Sequence, residues 1–178
     1  MFLLFKYPAI KPRQSCPYLY KYKIISSFKD ALKLGLVNRF FVFSFISKLL
    51  FRKEFYIYVV LNEEGKCIHY SCIAGKGYRF PFMKNGDIHI GPCWTAEKYR
   101  GKGIYPYILG CILNDYLRKD VYIFCDEKNY SSIKGIQKVG FELCGYGERT
   151  KPLGISFLGR FVFSFYEARD GSCYPKDK

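Results

Sequence analysis

The chain has 178 residues, 49% hydrophobic and 20% aromatic, which is enough material for one packed domain and too apolar for disorder in bulk. Its 29 Lys and Arg against 15 Asp and Glu give a formal net charge of +14, a positive field that attracts anions and disfavours polyamines and other cationic amines. The eight cysteines contain no C-x-x-C pair and mostly fall inside apolar runs, which argues for reduced, buried thiols and against a disulfide framework or a metal centre.

In chain order, Met1 to Pro8 is apolar over a few residues only and offers no small-residue cleavage site, so it does not read as a secretory signal. Residues 18–25 begin by alternating aromatic or apolar residues with Lys and predict a first strand. Ser26 or Ser27 then caps a helix on which Phe28, Leu32 and Leu36 recur every fourth position beside Ala31; Gly35 marks its end, and 38–51 continues as a second helical segment. The apolar stretch from Phe40 to Phe51 is broken by Ser44, Ser47 and Lys48 and falls short of the ~20 residues of a spanning helix. With reduced thiols, this gives the expectation of a cytoplasmic protein. Residues 38–53, with Arg39, Lys48, Arg52 and Lys53, read first as a core-packed helix and second as a peripheral contact with an anionic membrane.

Phe55 to Leu61 and Lys66 to Ala74 predict a hairpin around Asn62-Glu63-Glu64-Gly65. Within it, Cys67, His69 and Cys72 do not share one strand face, so they do not converge on a tetrahedral ion. A loop from Gly75 to Gly86 leads into a strand from Asp87 to Thr95. Next comes Tyr99-Arg100-Gly101-Lys102-Gly103-Ile104-Tyr105-Pro106, and then a helix on which Ile104, Ile108, Ile112 and Tyr116 form one apolar face, with Pro106 in its first turn. Val121 to Cys125 predicts a central parallel strand, Ser131 to Val139 a helix stopped by Gly140, and Phe141 to Gly147 and Gly159 to Glu167 two more strands joined through 151–154. The tail 170–178 reads as frayed. The whole chain, 1–178, is read as one domain.

Two glycines between a strand and a helix let the backbone approach an anion where unpaired N–H groups and the positive end of the helix dipole converge. A nucleoside-triphosphate loop needs Ser or Thr after Gly-Lys, and a dinucleotide fingerprint needs a third Gly; Gly103 and Pro106 stand there instead. Arg100-Gly101-Lys102-Gly103-Ile104-Tyr105 instead resembles R-x-x-G-x-(G/A), the coenzyme A motif of the GNAT superfamily of N-acetyltransferases, with Tyr105 departing from the small last residue. A second landmark of that family, Asn-x-x-(Ala/Ser)-Ile followed by Gly-Phe, is met by Asn129 to Ile133 and by Gly140-Phe141. The resemblance is clearest over 87–147.

The resemblance implies an α/β (α+β) fold with a mixed, mostly antiparallel sheet flanked by helices and splayed near the coenzyme A site. It implies acetyl-CoA as co-substrate without a metal, pyrophosphate contacts from Arg100, Gly101, Lys102, Gly103, Ile104 and Tyr105, an oxyanion site on the backbone of Cys93, Trp94 and Thr95, and a positioning role for Asn129. The family's usual aromatic proton donor is replaced by Ile136.

Of the titratable candidates, His89 lies on the strand before the turn and suits a general base because a free imidazole titrates near ~6.5. Its alternative is packing between Ile88 and Ile90. Asp87 and His69 follow as second and third candidates. Cys93 and Cys125 lack a paired base and do not read as nucleophiles. No RNP-like strand or recognition helix points to nucleic acid. The expected activity is acyl transfer to a primary amine, with an anionic, nucleotide-linked amino sugar favoured by charge and peptide N-termini and small metabolites also open. The alternative is a scaffold of the same fold without turnover, docking on membrane or a partner.

Overall fold

The computed structural model describes residues 1–12, 19–36, 39–51, 54–77, 79–150, 159–169 and 172–174. Strands β1 (Phe2–Tyr7), β2 (Tyr22–Ile25), β3 (Phe55–Leu61), β4 (Cys67–Gly75), β5 (Ile88–Thr95), β6 (Val121–Asp126), β7 (Glu142–Arg149) and β8 (Phe161–Phe165) form one sheet in the order β2-β3-β4-β5-β6-β1-β7-β8. Every neighbouring pair is antiparallel except β5 with β6. β9 (Glu167–Arg169) and β10 (Ser172–Tyr174) form a separate ladder, so part of the expected frayed tail is paired; 170, 171 and 175–178 lie outside the described residues.

The strand alternation separates two packed layers. On one face, Tyr58, Val60, Ile73, Ile88, Ile90 and Ile123 meet the apolar stripes of α3 (Ile104–Asp115) and α4 (Tyr130–Lys138), including Ile104, Ile108, Ile112 and Ile136. On the other, Ile57, Val59 and Cys72 are covered by α1 (Phe28–Lys33) and α2 (Arg39–Phe51) through Ala31, Phe41 and Phe45. Further along that face, Leu4, Tyr122, Cys144, Phe161 and Phe163 close over Met83.

Ser27 caps α1, its hydroxyl accepting from the Asp30 N–H at 3.2 Å, and Gly35 follows the helix end in the left-handed region at φ 68°. α2 packs Phe41 and Phe45 into the core and leaves Ile46 and Leu49 exposed, while 38, 52 and 53 of that segment lie outside the described residues. Among the described residues, no helix is long and apolar enough to cross a membrane.

The apolar N-terminus, to which no element was assigned above, is a strand, β1, inserted between β6 and β7 with Leu4 and Phe5 fully buried. The strand expected over 18–25 is shorter: over the described residues 19–25 it covers Tyr22–Ile25, at the sheet edge, and residue 18 lies outside the described residues. β6 is central as expected, and it is parallel to β5 but antiparallel to β1.

Candidate functional site

β5 and β6 are paired only over Ile88↔Val121, His89↔Tyr122 and Ile90↔Ile123. Beyond Ile90 the two part, although β5 runs on to Thr95 against β4 and β6 runs on to Asp126 against β1. The edge of β5 from Gly91 to Thr95 that faces β6 therefore has no strand opposite. Pro92, after a cis peptide bond, has no N–H to offer there.

Two cavities meet at this gap and share Cys93, Tyr105, Asn129 and Ser132. The first, about 580 Å³, lies at the glycine turn against Arg100, Gly101, Gly103, Ile104 and Lys138. The short 3-10 turn Glu97–Tyr99 and the Arg100 Nε–H, which donates to Thr95 O at 3.2 Å, lead into it. Gly101 and Gly103 both sit at φ 75°, a conformation costly for any side chain, and Gly103 precedes the first turn of α3. The Tyr20 hydroxyl donates to Lys102 O at 2.9 Å and pins the turn from outside. The first helical bond runs from the Tyr107 N–H to Gly103 O at 3.1 Å, and the N–H groups of Gly101 to Tyr105 have no backbone acceptor among the described residues. Backbone donors and helix dipole coincide at this turn, a geometry that suits an anion.

The second cavity, about 710 Å³, is bounded by Arg79, Phe80, His89, Phe124, Arg149 and Phe161, with Asp126 also lining it. His89 is stacked between Phe80 at 4.3 Å and Phe124 at 4.8 Å, is 3% exposed, and neither ring nitrogen has a hydrogen-bond partner among the described residues. Burial, with the Arg79 charge second, lowers its pKa to about 3, so the imidazole is neutral at physiological pH.

The other base candidates lie elsewhere. His69 is fixed at both nitrogens, by Thr95 Oγ1 at 2.8 Å and Ser71 Oγ at 2.9 Å, and burial lowers it to about 4. Asp87 accepts from the Lys84 N–H at 2.7 Å and lines neither cavity. Burial raises the Cys93 thiol to about 12 and Cys125 to about 11, which keeps both protonated and poorly nucleophilic.

The remaining sequence candidates separate in space. Cys93, Trp94, Thr95, Arg100, Gly101, Gly103, Ile104, Tyr105 and Asn129 all line the cradle cavity. Lys102 does not line it; its Nζ sits 5.1 Å from the centre of the Tyr99 ring. Asn129 caps α4, its Oδ1 accepting from the Ser132 N–H at 3.2 Å and the Ser131 hydroxyl at 3.1 Å. Ile136 is fully buried in the core and offers no group to the site.

Tyr105 stands at the junction of the cavities. Its ring packs on α4 at Gly135, where an added Cβ would lie 2.9 Å from Tyr105 Cδ1. Burial holds its phenol well above the usual range, so it remains protonated. The chain thus has a bulky residue at 105 accommodated by a missing side chain at 135. That compensation, along with Arg79, Arg149, Phe80, Phe124 and Phe161, was not recognised from sequence.

No protein-family model matches the chain, and no curated protein matches it. Solved structures do. A GNAT-family acetyltransferase from Colwellia psychrerythraea superposes with a TM-score of 0.58 at 13% identity, over 80% of this chain and 52% of that one. The fold is that of the GNAT acetyltransferases. A GNAT-fold aminoglycoside N-acetyltransferase in complex with CoA gives a TM-score of 0.51 at 13% identity, over 68% of this chain and 91% of that one. A protein of Acinetobacter baylyi assigned as an acetyltransferase gives 0.52 at 18% identity, over 90% and 99%. The chain spans about half the length of the Colwellia structure.

Proposed function

We propose that this GNAT-fold chain is an acyl-CoA-dependent N-acyltransferase that acetylates a primary amine. The observation that carries the proposal is the junction at Cys93 and Tyr105, where a glycine-turn cradle opens into a second, aromatic cavity through the gap between β5 and β6. The cradle fits the pyrophosphate of coenzyme A: its N–H groups from Gly101 to Tyr105 are unengaged by backbone among the described residues, and Arg100 and Lys138 line it. Lys102 adds positive field without lining it.

Bound there, acetyl-CoA would supply an acyl thioester; transfer forms an N–C bond, breaks the C–S bond and requires one proton removed from nitrogen and one delivered to sulfur. The open edge of β5 at Cys93 to Thr95 supports an oxyanion role for backbone donors. His89 is neutral and has no hydrogen-bond partner among the described residues, so it can accept a hydrogen bond from the amine and orient it. Burial leaves its imidazole too weak a base for the general-base role expected from the sequence, and we assign removal of the amine proton to water. Tyr105, still protonated at the junction, is the group we assign to deliver a proton to the thiolate, a task Ile136 leaves open. Asn129 orders the α4 end of the same junction. The acceptor we favour is anionic, for example a nucleotide-linked amino sugar.

Titration calorimetry of acetyl-CoA with the wild-type chain and Gly103→Val, followed by thiol release in the presence of primary amines, tests the function. Micromolar binding weakened by the substitution, with amine-dependent thiol release, is the expected result. A folded wild type that neither binds acetyl-CoA nor releases thiol overturns it.

A further inference from the structure

We propose that the aromatic cavity is an anion-recognising acceptor site, in which Arg79 and Arg149 hold a carboxylate or phosphate carried by the amine substrate. The proposal rests on the acyltransferase function above and names the feature of the substrate that the cavity selects.

Both guanidinium groups lie against one ring: Arg79 Cζ is 5.5 Å and Arg149 Cζ 5.7 Å from the centre of Phe161. The ring is itself buried and stacked on Phe80 at 5.6 Å, which in turn stacks on His89. The main chain fixes this arrangement, because the Phe161 N–H donates to Arg79 O at 2.9 Å and Phe161 is the register partner of Arg149 across β7 and β8. Two cations are therefore held close by the fold, and burial and the neighbouring Arg149 charge both lower the pKa of Arg79.

Arg79 Nε is buried and has no hydrogen-bond partner among the described residues, and neither nitrogen of His89 has one there. One of those imidazole nitrogens carries a proton in either tautomer, so it adds a donor to the same wall. A buried guanidinium N–H with no acceptor, beside a like charge, is unfavourable without an anion. With one, the planar fork of an arginine pairs with two oxygens at once, a geometry suited to carboxylate and phosphate. The carboxylate among the lining residues, Asp126, stands at the end of β6, where it accepts from the Lys128 N–H at 2.9 Å. The same wall disfavours polycationic acceptors, in contrast to the aminoglycosides named for one structural neighbour.

The test compares thiol release from acetyl-CoA with two matched pairs: glucosamine 6-phosphate against glucosamine, and β-alanine against its amide. We expect at least a tenfold preference in kcat/KM for one or both acidic members, the responding pair identifying phosphate or carboxylate as the recognised group. In Arg79→Gln the preference should collapse through KM, with acetyl-CoA affinity as the folding control; Arg79→Lys should retain part of it. Equal use of acidic and neutral members by the wild type overturns the proposal, whether or not the variants fold. If no amine supports thiol release, the acyltransferase function fails separately. Calorimetry of glucosamine 6-phosphate and glucosamine with the CoA-saturated wild type then decides the subsite: selective binding of the phosphate supports it and equal or absent binding overturns it.

Discussion

Tyr105 lies so close to Gly135 that a single added carbon at 135 would stand 2.9 Å from the tyrosine ring. In an exposed helix Gly→Ala is stabilising by about 1 kcal/mol, but here the new methyl would stand 2.9 Å from a half-buried ring packed on α4, which must leave that packing to make room. Gly135→Ala should therefore destabilise the chain by about 1–3 kcal/mol. Chemical denaturation of Gly135→Ala, Tyr105→Ala and the double variant checks this; strong non-additivity is expected, with the alanine at 135 tolerated once the ring is gone.

Tyr105→Phe keeps the ring and its packing against Gly135 and removes only the hydroxyl. Thermal stability should change little, while kcat falls about 10²-fold if the phenol delivers the proton. Because its pKa is raised well above that of a free tyrosine, the wild type should show no decline from phenol ionisation up to pH 10. An unchanged kcat in Tyr105→Phe removes the tyrosine from the chemistry.

His89 makes acid stability a readout of burial. Its folded pKa, about 3, lies below the unfolded value of 6.5, so the unfolded chain takes up the proton first as pH falls. The stability contributed by the neutral ring is complete above pH 6.5 and is lost progressively toward pH 3. His69, lowered to about 4, adds the same trend, and the chain has 2 histidines in all. Between pH 6.5 and 5 each should cost about 2 kcal/mol. Urea unfolding at the two pH values should show His89→Gln losing about half of the wild-type acid sensitivity. The acidic limb of kcat/KM should follow the acceptor ammonium and not this imidazole, so it should move with the pKa of the amine supplied.

Gly103→Val tests the cradle independently of the chemistry. A β-branched residue at φ 75° is strained by about 1–2 kcal/mol, and its side chain would enter open space in front of the turn. Acetyl-CoA affinity by calorimetry should fall at least tenfold, on the order of 1.4 kcal/mol or more. The stability loss should be no larger than the backbone strain.

The glycine turn was legible in the sequence because it is local: Arg100 to Pro106 carries both glycines and the helix start in seven consecutive residues. The hairpin of β3 and β4 and the stripes of α3 and α4 were legible for the same reason, since periodicity reports a face directly. β1 was not, because Phe2-Leu3-Leu4-Phe5 is apolar without alternation, and its place between β6 and β7 is set by contacts more than 100 residues away. The aromatic cavity was equally hidden. Arg79, Arg149 and Phe161 come from a loop and two strands, and no short-range spacing joins them. His89 could be placed on its strand, but the Phe80 and Phe124 stack that makes it neutral is a tertiary fact.

The early parting of β5 from β6 turns the sheet itself into a partition with a window. His89 and Phe161 belong to one face and the α3 turn to the other, so the two substrates of the proposed reaction reach the window through separate doors. Neither has to pass the other on the way in or out. Such a layout favours independent binding of donor and acceptor, with intersecting double-reciprocal plots, over a relay in which the first product must leave before the second substrate arrives.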